Sequence, residues 1–203
     1  MIFGSEAPLR ALGSILLLAS LLHSAAHAEA AAAPAAWNLS QLLGGFRDVK
    51  HAQAHYVERR YLSVLKRPIQ DTGILVYVAP NFLRKETLEP QHELLLVEGD
   101  TLTIERDGRT QTLTHGDYPQ IWAFIEGIRA TLAGDLLTLE AVYAVNLNGD
   151  EASWQLLLQP RDPAMQQIVR SIQIAGSAAQ IKRIETVERD GDRTDMVITE
   201  DPR

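Results

Sequence analysis

The sequence contains no cysteine in its 203 residues. Disulfides are therefore excluded, and a domain of this length can bury a core large enough to fold without them. The lack of cysteine also excludes the anchoring used by bacterial lipoproteins, which are lipidated on a cysteine at the start of the mature chain. We therefore expect a chain that is soluble in the compartment to which it is exported.

Basic residues are scarce as well. The chain has 19 Lys and Arg against 26 Asp and Glu, and its formal net charge is −7. Nucleic acid binding depends on neutralising phosphates with basic side chains, so no nucleic acid partner is expected. Unaided adsorption to an anionic membrane surface is disfavoured for the same reason.

The short motifs of common enzyme classes are missing. The sequence has no Gly-x-Ser-x-Gly elbow, no Gly-x-Gly-x-x-Gly loop and no Walker phosphate loop. His51, His55 and Glu58 are spaced for a shared helical face, but no zincin-like pattern accompanies them, so a polar face is favoured over a metal site. We predict no catalytic residues, no metal and no cofactor, and a protein that is not an enzyme.

The first 28 residues have the pattern of a secretory signal peptide. An apolar stretch, Ala11 to Leu22, is followed by the small-x-small site Ala26-His27-Ala28. A membrane-tethering helix is disfavoured because it needs about 20 apolar residues. We predict cleavage after Ala28, an Ala-rich spacer over 29–36, a single domain over 37–203, and a periplasmic location.

Periodicity predicts a helix from Trp37 that gives way to a strand between about Ala52 and Leu65. A meander of short strands joined by turns such as Asp107-Gly108 then runs from Thr72 to Thr114. Tyr118 to Leu137 has helical spacing, as one helix or as two broken near Gly127. Further strands are predicted at 139–147, 154–158, 169–174, 181–189 and 194–199, with a short helical turn carrying Met165.

These elements predict an α+β fold with nine or ten antiparallel strands and two helical segments. A sheet of this size curls strongly or closes, and the helices are expected to cover one apolar face of it. That face is either an ordinary filled core or a partly open cavity under a helical lid. The residues alone leave both possibilities open.

Several motifs in order resemble the periplasmic lipoprotein carrier (LolA-type) family between Leu39 and about Thr199. An amphipathic helix leads into HAQAHYVERR, which is followed by Gly73-Ile74-Leu75 and by Pro80-Asn81-Phe82-Leu83-Arg84. LLLVEGDTLTIER then matches a hydrophobic strand and hairpin. Three positions depart from the family pattern: Tyr56 stands in place of Phe, Glu58 in place of Gln, and Lys85 in place of an aromatic residue. We also expect the family's last strand and its Pro-Pro tail to be missing. Together these departures indicate a divergent LolA-related branch.

The resemblance implies an incomplete barrel whose apolar interior shields acyl chains under a helical lid. By this resemblance, Arg84 corresponds to an arginine that holds the lid closed through backbone carbonyls. The side chains expected to line the cavity and lid are Tyr56, Leu75, Tyr77, Phe82, Leu102, Ile121, Trp122, Phe124, Ile125, Tyr143, Trp154 and Leu156.

The function that the resemblance implies is shielding the acyl chains of a lipoprotein or lipid for transfer towards the outer membrane. The expected partners are a lipoprotein, lipid or polyene-conjugate cargo, an inner-membrane donor and an outer-membrane acceptor, and the chain is expected to be a monomer. A non-transporting lipid-binding or sensory module on the same fold is the alternative. A third hypothesis is an enzyme whose site the sequence hides.

Overall fold

The computed structural model describes residues 37–114 and 119–200. The predicted signal peptide and spacer lie outside these residues. The first helix, α1 (Leu39–Arg47), begins with a capping box. In this box the Asn38 side chain accepts from the backbone N–H of Gln41, and the Gln41 side chain accepts from that of Asn38.

The chain is already extended at His51, close to the predicted start of the first strand at about Ala52. HAQAHYVERRY begins with alternating polar and small residues. In a strand, successive side chains point to opposite faces, so this alternation places the polar and the small residues on different sides of the sheet. The eleven described strands are β1 (His51–Tyr61), β2 (Ile69–Val78), β3 (Phe82–Glu89), β4 (Glu93–Glu98), β5 (Thr101–Arg106), β6 (Arg109–Thr114), β7 (Tyr143–Asp150), β8 (Ser153–Pro160), β9 (Val169–Ser177), β10 (Gln180–Glu188) and β11 (Arg193–Glu200).

All eleven strands belong to one antiparallel sheet, in the order β6-β5-β4-β3-β2-β1-β11-β10-β9-β8-β7. Strands that are neighbours in the sheet are also consecutive in sequence, except at its middle, where the first strand pairs with the last. The described strands β6 and β7 form the two edges, so the sheet does not close into a barrel. The predicted α+β fold with an incomplete antiparallel barrel is confirmed.

Three more helices follow the meander, namely α2 (Pro119–Ala133), α3 (Leu136–Val142) and α4 (Pro163–Gln166). Helix α2 is continuous through Gly127 and ends at Gly134, whose φ of +67° suits a helix C-terminus. Asp135 then caps α3 by accepting from the Thr138 N–H. The predicted strand over 139–147 is therefore wrong in its first half, because this cap starts a helix and extended backbone begins only at Tyr143.

The helices cover one face of the sheet, called here the inner face, and the opposite side is called the outer face. On the inner face, α1 packs against side chains of β7, β8 and β9, among them Trp154 and Leu156. Helix α2 packs with Trp122 and Ile125 against Val97 of β4 and against its neighbours on β5 and β6. The helix-covered face thus has two packed clusters, one towards each edge of the sheet.

Candidate functional site

Between the two packed clusters, the inner face has an open cleft of about 380 Å³. Its walls come from α1 and α2, and its floor comes from the middle strands of the sheet. The lining is mainly apolar and consists of Phe46, Val49, His51, Ala52, Gln53, Ala54, Leu75, Ile128, Leu132, Ala179, Ile181, Ile184, Ile198 and Glu200.

The cleft is open because small side chains occupy the inner face where the helices cross it. Ala52 and Ala54 occupy two successive inner positions of β1, and Leu75 is the register partner of Ala54 on β2. An alanine contributes only a methyl group to the space under a helix, so the floor lies too deep for Ile128 and Leu132 to fill. An apolar cleft with hydrophobic walls suits a hydrocarbon chain.

The cluster towards β7 fills its part of the inner face. Phe46 and Trp154 meet edge to face, with ring centroids 5.9 Å apart and planes at 83°. The Trp154 indole N–H donates to the Ala178 carbonyl at 2.8 Å. The predicted cavity residues Tyr143 and Leu156 lie here fully buried, and Phe124 packs against the cluster from α2. Burial also raises the pKa of Tyr143.

The second cluster is smaller. Leu102, Trp122 and Ile125 are buried in it, and Ile121 packs against it. These residues, like those of the first cluster, were expected to line the cavity and lid. In this structure they hold the helices on the sheet, and a contact between them and a ligand stays a prediction.

Tyr56 and Tyr77 both point to the inner face and are buried. Tyr56 shares a hydrogen bond of 2.7 Å with the Thr87 hydroxyl, and the Lys85 ammonium lies 5.2 Å from the centre of its ring. Burial raises the pKa of Tyr56 to about 12, against the smaller opposing effect of the Thr87 hydrogen bond. Burial likewise raises the pKa of Tyr77.

A glycine makes room for the Tyr56 ring. Gly73 is the register partner of Tyr56 on β2. A Cβ atom at Gly73 would lie 1.9 Å from the Glu86 carbonyl oxygen and 2.8 Å from the Tyr56 ring. The Tyr56 ring therefore packs closely against the β2 backbone at Gly73.

These buried tyrosines predict a loss of stability at alkaline pH. The unfolded chain ionises a tyrosine near pH 10, whereas folded Tyr56 keeps its proton until about pH 12. Because the folded-state pKa is raised, the contribution to stability is complete below pH 10 and is lost as the pH rises towards 12. Urea unfolding across this window is expected to show a smaller fall in the free energy of unfolding for Tyr56→Phe than for the wild type. An equal fall in both proteins would contradict this role of Tyr56.

Phe82 and Arg84 were expected at the cavity and at the lid, but register puts both on the outer face. Leu83 packs inwards against the second cluster, and strand alternation turns its two neighbours the other way. The Arg84 guanidinium pairs with the Glu86 carboxylate on the same strand. The latch role of Arg84 stays a prediction, since within residues 37–114 and 119–200 the polar contact of Arg84 is this pair with Glu86.

A different arginine links the helices to the sheet. Arg129 of α2 donates from Nη1 to the Gly99 carbonyl in the β4–β5 turn at 2.9 Å, and its Nη2 pairs with Glu126 at the same distance. The sequence pattern did not single out Arg129, because a charged residue in an amphipathic helix is usually a solvated one.

We expect Arg129→Gln to loosen α2. A hydrogen bond that involves a charged group contributes about 1.5–3 kcal/mol, so losing it allows local opening at least about tenfold more often. Hydrogen exchange followed by mass spectrometry would show this as faster exchange in α2 and in the β4–β5 turn. Arg170→Gln, which changes an exposed arginine of β9, is the control. Unchanged exchange in α2 would refute the link.

Leu75 is the predicted site residue that lines the cleft. The other lining residues were missed, and only two alanines among them had a signal in the sequence. Ala52 and Ala54 alternate with polar residues, which marks small side chains on a buried face. Ile181 and Ile184 are three apart, a spacing that shares a face only because a register irregularity separates Ile181 from Arg183.

Within 37–114 and 119–200, no group of three His, Asp or Glu side chains is arranged to hold a metal ion. His51 lies at the cleft, whereas His55 is on the outer face of β1. Over the same ranges, the structure has no helix with the length and apolar character needed to cross a membrane.

An open antiparallel sheet with helices over one face and an apolar cleft between them defines the class of LolA-type carrier and binding folds. The chain matches the family of LolA-like outer membrane lipoprotein carrier proteins over residues 30–200, and it belongs to that family. The resemblance seen in the sequence is thereby confirmed. Proteins of this family are periplasmic or exported.

No curated protein matches the chain. Among solved structures, it is similar to a LolA superfamily protein from Nitrosomonas europaea, with 9% identity, a TM-score of 0.45, and coverage of 81% of this chain and 92% of that one. It is also similar to a chain of the MucA/MucB complex of Pseudomonas aeruginosa, with 16% identity and a TM-score of 0.43. That match covers 79% of this chain and 54% of the other. A third similar structure is the lipoprotein LppX of Mycobacterium tuberculosis. Its identity is 9%, its TM-score is 0.35, and the match covers 80% of this chain and 93% of LppX.

Proposed function

We propose that this protein is a periplasmic carrier that shields the acyl chains of a lipoprotein or lipid in the cleft between α1, α2 and the middle strands, for transfer towards the outer membrane. The observation that carries the proposal is the apolar cleft left open between two filled clusters. Membership of the LolA-like family supports it independently.

The energetics fit a carrier without specific chemistry. Burying ten methylene groups at about 0.8 kcal/mol each gives about 8 kcal/mol, which corresponds to a dissociation constant of about 1 µM before the cost of immobilising the ligand. Affinity of this kind depends on apolar area, so one cleft can accept cargoes with different head groups. An inner-membrane donor and an outer-membrane acceptor complete the proposed route.

The helices supply the movable part of the mechanism. The cleft is walled by Ile128 and Leu132 of α2, so movement of this helix away from the sheet widens the entrance. The Arg129 link to Gly99 is the contact that such a movement breaks. Cargo entry is therefore coupled to a small, reversible loss of polar contacts.

The outer face favours a second candidate, a lipid-binding or sensory module that does not transport. Val57 and Val197 are register partners on β1 and β11, and they are 37% and 46% exposed. Val78 of β2 is also exposed. Such a module would present an apolar patch of this kind to a protein partner.

A transfer assay separates the two functions. Donor vesicles would carry a fluorescent lipopeptide with its acyl chains in the bilayer, and acceptor vesicles would carry a quencher. A carrier accelerates quenching in proportion to its concentration, because each molecule moves cargo through solution. A module that only binds takes up the lipopeptide without accelerating its arrival in the acceptor vesicles, and that result would exclude the carrier function.

A further inference from the structure

The inner face has a second cavity, of about 400 Å³, and this one is lined by charge. It lies over the far ends of β1, β2 and β3 and extends to β4 and β5. Its principal lining residues are Glu58, Arg60, Asp71, Lys85, Glu93 and Arg106. Six charged side chains line this pocket. Arg60 and Arg106 reach solvent, whereas the carboxylates of Glu58 and Asp71 are buried, which is rare for charged groups.

The charged pocket and the apolar cleft share two strands. Ala54 pairs with Leu75 at the cleft, and four residues further along β1, Glu58 pairs with Asp71 at the charged pocket. At about 3.4 Å per residue, this separation is about 14 Å. Tyr56 lies between them. The inner face of β1 and β2 therefore changes from apolar to charged within the length of a small amphiphile.

The charges are balanced and arranged in pairs. Lys85 Nζ lies 2.7 Å from Glu58 Oε2, Arg60 Nη2 lies 2.9 Å from Asp71 Oδ2, and Arg106 pairs with Glu93. Glu58 and Asp71 are only 6% and 7% exposed. The Arg60 Nε–H is buried and has no hydrogen-bond partner within the described residues.

We propose that this pocket binds the polar head group of the cargo, a zwitterionic group that carries a phosphate and an ammonium, while the acyl chains occupy the apolar cleft. The inference rests on the proposed function. The phosphate meets the partly exposed guanidinium of Arg60 and the ammonium of Lys85, and the ligand ammonium meets the carboxylates of Glu58 and Asp71.

Charge balance is the reason for choosing a zwitterion. An anionic head group that drew Arg60 and Lys85 towards itself would leave Glu58 and Asp71 buried without partners, which is strongly unfavourable. A ligand that brings both charges replaces each internal pair with a pair of the same kind. An uncharged head group gains neither contact.

The test compares three lipids with identical short acyl chains, namely phosphatidylethanolamine, phosphatidylglycerol and diacylglycerol, by calorimetric titration into the full chain. Phosphatidylethanolamine is expected to bind at least about tenfold more tightly than either of the others. The double variant Arg60→Gln with Asp71→Asn removes one internal pair without leaving a lone charge. It is expected to lose this preference and to keep the affinity for diacylglycerol.

A second double variant and one control variant complete the test. Glu58→Gln with Lys85→Met neutralises the other pair and is expected to give the same loss, so the test does not depend on one variant being folded. Arg59→Gln changes an arginine on the outer face of the same strand and is expected to keep the preference. Thermal melting of each variant would establish that it is folded.

The possible outcomes separate the two proposals. Failure to bind any of the three lipids would overturn the proposed function together with this inference. Equal binding of all three would overturn the head-group site alone, and the charge pairs would then be structural. Phosphatidylglycerol bound as tightly as phosphatidylethanolamine would overturn the proposed preference for a zwitterionic head group. Inorganic phosphate that binds as tightly as phosphatidylethanolamine would show a free-phosphate site instead of a head-group site.

Discussion

Replacing Ala54 with phenylalanine is expected to weaken the binding of a fluorescent fatty acid by at least about tenfold. Ala54 is buried on the inner face of β1 and lines the cleft. A benzyl group at this position projects into the space that the acyl chain is proposed to occupy. Because the cavity is open, the added ring has room to enter it, and the loss of affinity comes from occupied volume.

The matched control for this prediction lies three residues along the same strand. Val57→Phe adds a ring to the outer face, where Val57 is already exposed, and is expected to leave fatty acid binding unchanged. Overpacking a filled core costs about 1–3 kcal/mol of stability. Urea unfolding of Ala54→Phe therefore also shows whether the cleft is empty, because a loss of this size is expected only if the space is already filled. Unchanged fatty acid affinity in a folded Ala54→Phe protein would contradict the assignment of this cleft as the acyl site.

Replacing Trp154 with alanine is expected to lower the free energy of unfolding by about 3–5 kcal/mol. The Trp154 ring is fully buried, packs edge to face against Phe46 of α1, and donates a hydrogen bond to Ala178. It also lies over Gly176, where a Cβ atom would come within 2.4 Å of the ring. Removing the indole therefore leaves a cavity at the contact that holds α1 on the sheet.

Leu137→Ala is the control for the core prediction. Leu137 is an apolar residue of α3 that is 82% exposed, so its truncation is expected to change stability by less than about 0.5 kcal/mol. Urea unfolding followed by circular dichroism measures both variants. A loss below 1 kcal/mol for Trp154→Ala would mean that α1 is not held by this contact.

Local turn chemistry made most of the sheet predictable. Asp107 and Gly108 both have positive φ, at 54° and 70°, as a two-residue hairpin turn of this sequence requires. Arg106 accordingly pairs with Arg109. A hairpin turn is also predicted at Asn148-Gly149-Asp150, and it was less well placed. The hairpin is real, but the strands continue until Asp150 pairs with Ser153, so the reversal lies two residues later.

The cleft could not be predicted residue by residue because alternation assigns side chains to faces without showing which face is filled. Large aromatic residues such as Trp122 and Trp154 were expected at the cavity, but large side chains are the ones that fill space. The open region lies over alanines. The prediction for Arg84 met the same difficulty, since a shift of one residue moves a side chain from the lid side to the opposite face.

The carrier function is tested most directly by native mass spectrometry of the protein purified from the periplasm of exporting cells, followed by organic extraction and identification of whatever was bound. A near-stoichiometric acyl-containing species is expected on the wild type and on Val57→Phe, and its loss is expected from Ala54→Phe. A wild-type protein that carries no such species and takes up no fluorescent fatty acid would show that the cleft is not an acyl site, and would contradict the carrier function.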